Sequence, residues 1–530
     1  MLIITLLLIF QFGTVFSQDT NSENDPLDWW KSKNTPFSPS VNFEQAYTFI
    51  QQKKLKAYST TIAVLDTDLD IEHTKILNVV WKNANEIPND NVDNDKNGYV
   101  DDIHGWNFIA SEKDKVSLDY TLMEKTRILR EFTEEELDEL YRNKKISFSY
   151  NEVKESYENT VNSLTEKIDL YESVEEDYTN SISILKRKFD VDSITFESLK
   201  ELKPSEDLDV NKSISYVQAM KLRNFPDYNN FLDYLEFKKK SLNICMNLNY
   251  DDRALIGDNL KNSHYDNYGS QFVNKKSHKI SHGTEVTGII IEGLDELLKS
   301  EDKLLSVLPV VITAIGDPTD KDTALAIRYA ADNGAKVINL SQTKTFSISD
   351  SLVDQALKYA EEKDVLIVKS AGNENLDLDI SIRYPNDSNS DNKEIVDNVI
   401  VVGAIKSKIN NKLKSKSSNY GKTNVDIFAP STKIKTYTPN NGYITDSGGT
   451  SYAAPVVASV AVLIRSYFPK LSAKQVKQIL MESGTSYDVE VEIILEDKSK
   501  KMIPFSELSK SGKVVNAYNA LLLAEKVSKN

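Results

Sequence analysis

The feature that most restricts the fold is an alternation running through the second half of the chain. LLSVLPVVITAI, KVINLS, VLIVKSAGN and NVIVVGAI are near-continuous apolar runs rich in Val and Ile. DTALAIRYAADNGA, closed by Gly334, and SLVDQALKYAEEKD stand between the first three of them with helical periodicity. A strand that is apolar on both faces must be covered on both, and helices between successive strands supply that cover. TTIAVLD, ending at Asp66, has the same character, a helix is expected near Phe43 to Leu55, and KVVNAYNALLLAEK reads as a closing helix. The pattern predicts an α/β fold with a doubly wound parallel sheet, whose ligands bind at the carboxyl ends of the strands.

Four residues stand where such a sheet places its chemistry. Asp66 ends TTIAVLD, His282 opens HGTEVTGIII, Asn373 follows a strand in SAGNEN, and Ser451 opens an apolar helix in DSGGTSYAAPVVASV. Each has a plain structural alternative. Serine caps helices, aspartate ends strands in turns, and asparagine tolerates a left-handed turn. Taken together at one sheet edge, in the order Asp, His, Ser, they match a recurrent order of the serine triad. A serine hydroxyl is a weak nucleophile and needs a base to take its proton. Histidine does this near neutral pH, and a buried carboxylate holds its tautomer and stabilises the imidazolium. The oxyanion donors would be the Asn373 amide and the Ser451 backbone N–H, aided by the helix dipole.

The remaining features limit the setting. With 64 basic and 80 acidic residues the net charge is −16, which argues against a nucleic-acid partner. MLIITLLLIFQFGTVFSQ reads as a secretory signal over residues 1–17, cut before Gln18, and no later stretch is apolar enough to span a membrane. The mature protein is therefore expected to be secreted, into the periplasm or the extracellular space. Cys245 is the only cysteine, so no intramolecular disulfide can form. Residues 18–57 read as a polar leader containing Trp29 and Trp30. Residues 111–245 are rich in Glu, Lys, Asp and Tyr, and Tyr157, Val161, Leu164, Ile168, Tyr171, Tyr178, Ile182, Leu185 and Phe189 follow the three- and four-residue steps of a helix seam. An inserted α-helical subdomain is expected there, either a solvated spacer or a substrate-gating or partner-binding arm. It divides the catalytic domain into residues 58–110 and 246–530.

DNDKNGYVDD places Asp93, Asp95 and Asn97 at the first, third and fifth positions of a calcium loop, with Gly98 at the sixth and Asp101 at the ninth. The twelfth is His104 rather than glutamate, so the match is partial. An Asx-rich surface turn is the alternative. Calcium is the expected cofactor, in a structural role.

AVLDTD, SHGTEVTG, KVINLSQ, SAGNEN and GGTSYAAP resemble the successive motifs of the subtilisin-like serine proteases, the subtilases. The resemblance spans roughly residues 58–108 and 250–525. It implies a subtilisin-like sheet and endopeptidase activity on protein or peptide substrates. It also implies Asp66 as histidine orienter, His282 as general base and acid, Ser451 as nucleophile and Asn373 as oxyanion donor. By the same resemblance Ser341, Gln342 and Thr343 lie along the strand that pairs with substrate backbone, with Ser370 and Gly372 beside them. Four departures from the family pattern stand out: Asp68 where glycine is usual, Gln342 and Thr343 displacing another usual glycine, and Glu285 and Val456 where histidine is usual. Asp68 and Glu285 add negative charge near His282, which favours its protonated form. Asp66 and His282 stand 216 residues apart, far more than in compact subtilases. The alternative reading is a weakly active or inactive subtilase that acts as a binding or processing partner through its insert. The sequence assigns no oligomeric state.

Overall fold

The computed structural model describes residues 28–530 except 112, 114, 193, 195–204, 222–227, 261–267, 278–279, 301–303, 390, 447, 496 and 530. The expected signal segment lies outside the described residues.

After helix α1 (Phe43–Lys53), strand β1 (Thr60–Asp66) enters the interior of a nine-stranded sheet, third from one edge. The other strands are β2 (Trp106–Asn107), β3 (Leu305–Val311), β4 (Val337–Leu340), β5 (Leu366–Ser370), β6 (Val399–Ile405), β7 (Ile427–Pro430), β8 (Thr485–Ser486) and β9 (Lys513–Val514). Their order is β8-β9-β7-β6-β5-β4-β1-β3-β2, parallel throughout except where β8 meets β9. β1 lies between β3 and β4 in register, Asp66 opposite Val311 and Leu65 opposite Leu340. The polar ends of β1 and β4 therefore emerge at one edge.

Each face of the sheet carries its own core, as the doubly apolar strands require. On one side, α8 (Asp320–Asp332) and α9 (Asp350–Glu362) cover Ala63, Leu65, Ile338 and Ile367. On the other, α7 (His282–Leu298) and α10 (Thr450–Tyr467) cover Ile62, Val64, Val368 and Val402. Every residue of α10 from Tyr452 to Tyr467 is buried, and Ala453, Ala454, Val457, Ala458 and Ala461 let the strands approach closely. The expected strand and helix alternation appears along the whole stretch, ending in α12 (Ala517–Val527), with α11 (Ala473–Ser483) before it. The fold is the doubly wound, mostly parallel α/β sheet that the sequence predicts.

From Asp28 onward, the segment set apart as a leader is part of this core. Trp30 is fully buried, its ring edge-on to Phe43 at 5.7 Å, and α1 packs against α7 and α12. Two adjacent tryptophans carry more apolar surface than a solvated leader would keep in water.

The segment expected as an insert is largely helical over its described residues. Capping boxes at Thr133/Glu136 and Ser149/Glu152 start α3 (Glu134–Arg142) and α4 (Tyr150–Phe189), which follow α2 (Glu124–Glu131). α4 runs for 40 residues, and Leu164, Ile168, Tyr178, Ile182 and Leu185 of the anticipated seam are buried. Its far half packs on α5 (Leu208–Lys221) and α6 (Tyr228–Lys240) through Val174, Tyr178, Leu185, Val210, Val217 and Phe231. Its near end docks on the sheet domain, where Phe148 meets Phe346 at 5.0 Å in a cluster with Ile128, Leu137 and Val153.

Candidate active site

The site is built from glycines that let two helices start against strand ends. His282 is the first residue of α7, and a Cβ on Gly283 would lie 2.4 Å from the Thr67 carbonyl oxygen. Only hydrogen fits there, so the helix start is pressed onto the end of β1. The Gly283 N–H donates to Thr67 Oγ1 at 2.9 Å, and the imidazole meets Asp66, its Nδ1 2.6 Å from Oδ1. Asp66 is fully buried, and the same Oδ1 accepts from the Thr67 N–H at 2.7 Å. A carboxylate held by these donors places the ring proton on Nδ1 and leaves Nε2 for the cleft.

Ser451 is the second residue of α10, not its cap. The cap position is Gly449, where a Cβ would fall 2.0 Å from Asn373 Oδ1. The capping alternative for Ser451 therefore fails on geometry. Asn373 Oδ1 accepts from the Thr450 N–H at 2.8 Å and from Thr450 Oγ1 at 3.2 Å, which turns its NH₂ branch away from Thr450. Ser341 Oγ donates to the Ser451 carbonyl at 2.9 Å and ties β4 to the helix start. His282, Asn373 and Ser451 line one cleft of about 510 Å³ together with Ser341, Gln342, Thr343 and Ser370.

One placement differs from the sequence reading, and two contacts lie outside it. Gly372 does not line the cleft: its N–H donates to Thr450 Oγ1 at 3.0 Å and its carbonyl accepts from the Asn419 N–H at 3.0 Å. The neighbouring Glu374, not singled out from the sequence, lines it instead. Gln342 faces the cleft and also donates to Asp66 Oδ1 at 3.3 Å, so it touches the Asp–His pair as well as the substrate space. No local pattern reveals such a contact across the fold.

The electrostatics follow from the same contacts. Burial disfavours a charged His282, but the charge and hydrogen bond of Asp66 and the charge of Glu285 outweigh it and raise the imidazole to about 9. Glu285 is held by Tyr452 Oη, which donates at 2.7 Å, and by Ser281 Oγ. Asp68 behaves differently from expectation. Burial lifts its own carboxyl to about 7 against the pull of Lys275, 4.0 Å away, while Asn107 Nδ2 donates to it at 3.4 Å. Glu285, not Asp68, is the departure that bears on His282.

The acidic loop also differs from its sequence template. Asp93 accepts from the N–H groups of Asn97 and Gly98, and Asp101 accepts from those of Asp90 and Asn91, so both carboxylates serve as turn caps. Asn97 caps the Tyr99 N–H with its Oδ1. Of the four anticipated ligands, only Asp95 joins the acidic group in which Glu86, Asp95 and Asp102 bring one carboxylate oxygen each within 4.8 Å of one another. Burial raises Asp102 to about 6 despite bonds from Tyr329, Asn83 and Asn97, and Asp95 adds to the rise. Their three oxygens are the hard donors a calcium ion takes, and Glu86 also accepts from the N–H groups of Asn94, Asp95 and Asp101.

The Subtilase family profile matches residues 58–495. Among curated relatives, Subtilisin-like protease 1 of Plasmodium falciparum is 29% identical over 317 residues, covering 55% of this chain and 42% of the relative. The chain thus spans less than half the length of that protein. Subtilisin DY of Bacillus licheniformis is 31% identical over 229 residues, covering 41% of this chain and 76% of the relative. A solved cold adapted subtilisin-like serine proteinase is 26% identical, with a TM-score of 0.32 over 41% of this chain and 72% of that one. The profile covers every strand of the sheet except β9, together with the cleft and both glycine-pressed helix starts, and the chain belongs to the Subtilase family.

Proposed function

We propose that this protein is an exported serine endopeptidase. The observation that carries the reading is the 2.6 Å contact of His282 Nδ1 with buried Asp66, in the cleft that Ser451 and Asn373 also line. In the reaction, Ser451 Oγ attacks the peptide carbonyl carbon as its proton passes to His282 Nε2. The carbonyl electron pair moves to oxygen, where the Asn373 amide and the Ser451 N–H receive the negative charge. Collapse breaks the C–N bond, the proton on Nε2 goes to the departing amine, and an acyl ester remains on Ser451. Water repeats the sequence and frees the acid. Asp66 keeps the ring in register and stabilises its charged form throughout.

A fluorophosphonate probe tests the chemistry. The expected result is one phosphonyl group on Ser451, with loss of fluoride, and no label in Ser451→Ala or His282→Ala. A folded wild type that takes no label contradicts the reading. Export is supported by the apolar start of the chain, and no helix among the described residues is long and apolar enough to cross a membrane. Secreted protein whose first residue is Gln18 would agree; a retained, uncut chain would not.

Calcium belongs to the same proposal, held by Glu86, Asp95 and Asp102 with a structural role. Bound there, the ion supplies positive charge among three carboxylates. At a free concentration 100 times its Kd it stabilises the fold by about 2.7 kcal/mol. Thermal unfolding should therefore shift upward with calcium and downward with chelator, and Asp95→Asn should remove the difference. An equal response in wild type and variant would refute the assignment.

A further inference from the structure

The peptidase reading gives the helical insert no task, yet the cleft is not walled by the sheet domain alone. Phe237, on α6, lines it together with Ile280, two residues before His282, and with Ala314 and Ile315 from the turn after β3. These four side chains make an apolar arm beside the histidine, whereas Ser341, Ser370 and Asn373 give the rest of the cleft a polar lining.

The arm is one hydrogen-bonded unit. Ile315 N–H donates to the Asp119 carbonyl at 3.2 Å, and the Thr121 N–H donates to the Ile315 carbonyl at 2.9 Å. The same carbonyl accepts from Cys245 Sγ at 3.3 Å, and the Cys245 carbonyl accepts from the Met123 N–H at 3.0 Å. Cys245 ends the turn that continues α6, where Ser241 Oγ donates to the Phe237 carbonyl at 2.8 Å. Both ends of the insert thus grip Ile315. On the opposite bank, Lys344, next to Thr343, pairs with Glu124 of α2 at 3.2 Å. An insert tethered to both banks places Phe237 at a fixed distance from the reacting groups. Phe237 is half-buried, with Lys238 Nζ 4.9 Å from its ring centroid and the Tyr234 ring at 6.5 Å, and an apolar partner in the cleft covers the apolar surface that remains.

We propose that the insert is a specificity element, in which Phe237 with Ile280, Ala314 and Ile315 forms a subsite for an apolar side chain of a peptide bound at Ser451. The proposal rests on the peptidase reading. Its test uses fluorogenic peptides in which leucine or glycine is placed in turn at each position flanking the scissile bond. Wild type should prefer leucine at one position on one side of that bond. Phe237→Ala should cut kcat/KM for the leucine peptide roughly tenfold, mainly through KM, and leave the glycine peptide unchanged. Phe237→Leu should restore most of the preference. The rate at which a small fluorophosphonate labels Ser451 should be the same in all three proteins, which separates a lost subsite from a damaged centre. An unchanged leucine preference, or an equal loss on both peptides, overturns the proposal. A wild type that cuts no peptide and takes no phosphonate removes it along with the peptidase reading.

Discussion

At pH 7 most molecules should carry the wrong proton for catalysis. His282 must be neutral to accept the Ser451 proton, but its contacts raise it from the usual 6.5 to about 9. At two units below that value about one ring in a hundred is neutral, so kcat/KM at pH 7 should be about one hundredth of its plateau. The same shift acts on stability with the opposite slope. The folded state holds its proton more tightly than the unfolded chain, so the ion pair contributes fully below pH 6.5. That contribution is lost as the pH rises through about 9. A difference of about 2.5 units corresponds to roughly 3 kcal/mol, for a side chain with 30% of its surface exposed. Activity should therefore rise across the window in which this part of the stability falls. Glu285→Gln keeps an amide able to meet Ser281 and Tyr452 and removes one source of the shift, so its acidic limb should move to lower pH. Initial rates on a neutral peptide from pH 5 to 10, beside denaturant melts at the same pH values, read both slopes. An acidic limb near 6.5 in wild type, or one unmoved in Glu285→Gln, would refute the reasoning.

Three further predictions come from the same contacts. Asp68 holds a proton up to about 7 in the fold but only to about 3.8 unfolded, so burying it costs stability progressively between these values and fully above them. Asp68→Asn should raise the unfolding free energy by up to about 4 kcal/mol at pH 8 and by nothing below pH 3.8, as chemical denaturation will report. Asn373→Ala should lower kcat about 10²–10³-fold with little change in KM; that figure was measured for the corresponding donor in a subtilisin and is the family's, not one worked from this cleft. Trp30→Ala should cost about 3–5 kcal/mol, measured by chemical denaturation, because it empties a fully buried site against Phe43.

The candidate site is legible in the sequence because each group proposed to act there is announced by its neighbours. Gly283 and Gly449 mark backbone pressed against another chain segment, and apolar runs on either side define the strands and helices that hold His282 and Ser451. What escapes is whatever depends on distant pairs. Gln342 meets Asp66 across 276 positions, and Phe237 lines the cleft from a segment whose two ends bond Ile315. The acidic loop shows the limit of a spacing template. Asp93 and Asp101 sit at ligand positions, but of the four anticipated residues only Asp95 joins the three-carboxylate group, which Glu86 and Asp102 complete from other positions. Asp68 was legible as a charge but not as a buried one, because its burial is set by chain far from it. The two tryptophans at 29 and 30 did hold a readable signal, since apolar surface of that size seeks a core.

The most direct test of the account is turnover itself. Purified wild type and Ser451→Ala would be incubated at pH 9 with an unstructured protein, and the products read by mass spectrometry. The account predicts new internal termini that accumulate over many turnovers with wild type and none with the variant. Intact substrate in both, from protein that binds it and remains folded, would contradict it and leave a cleft that holds peptides without cutting them.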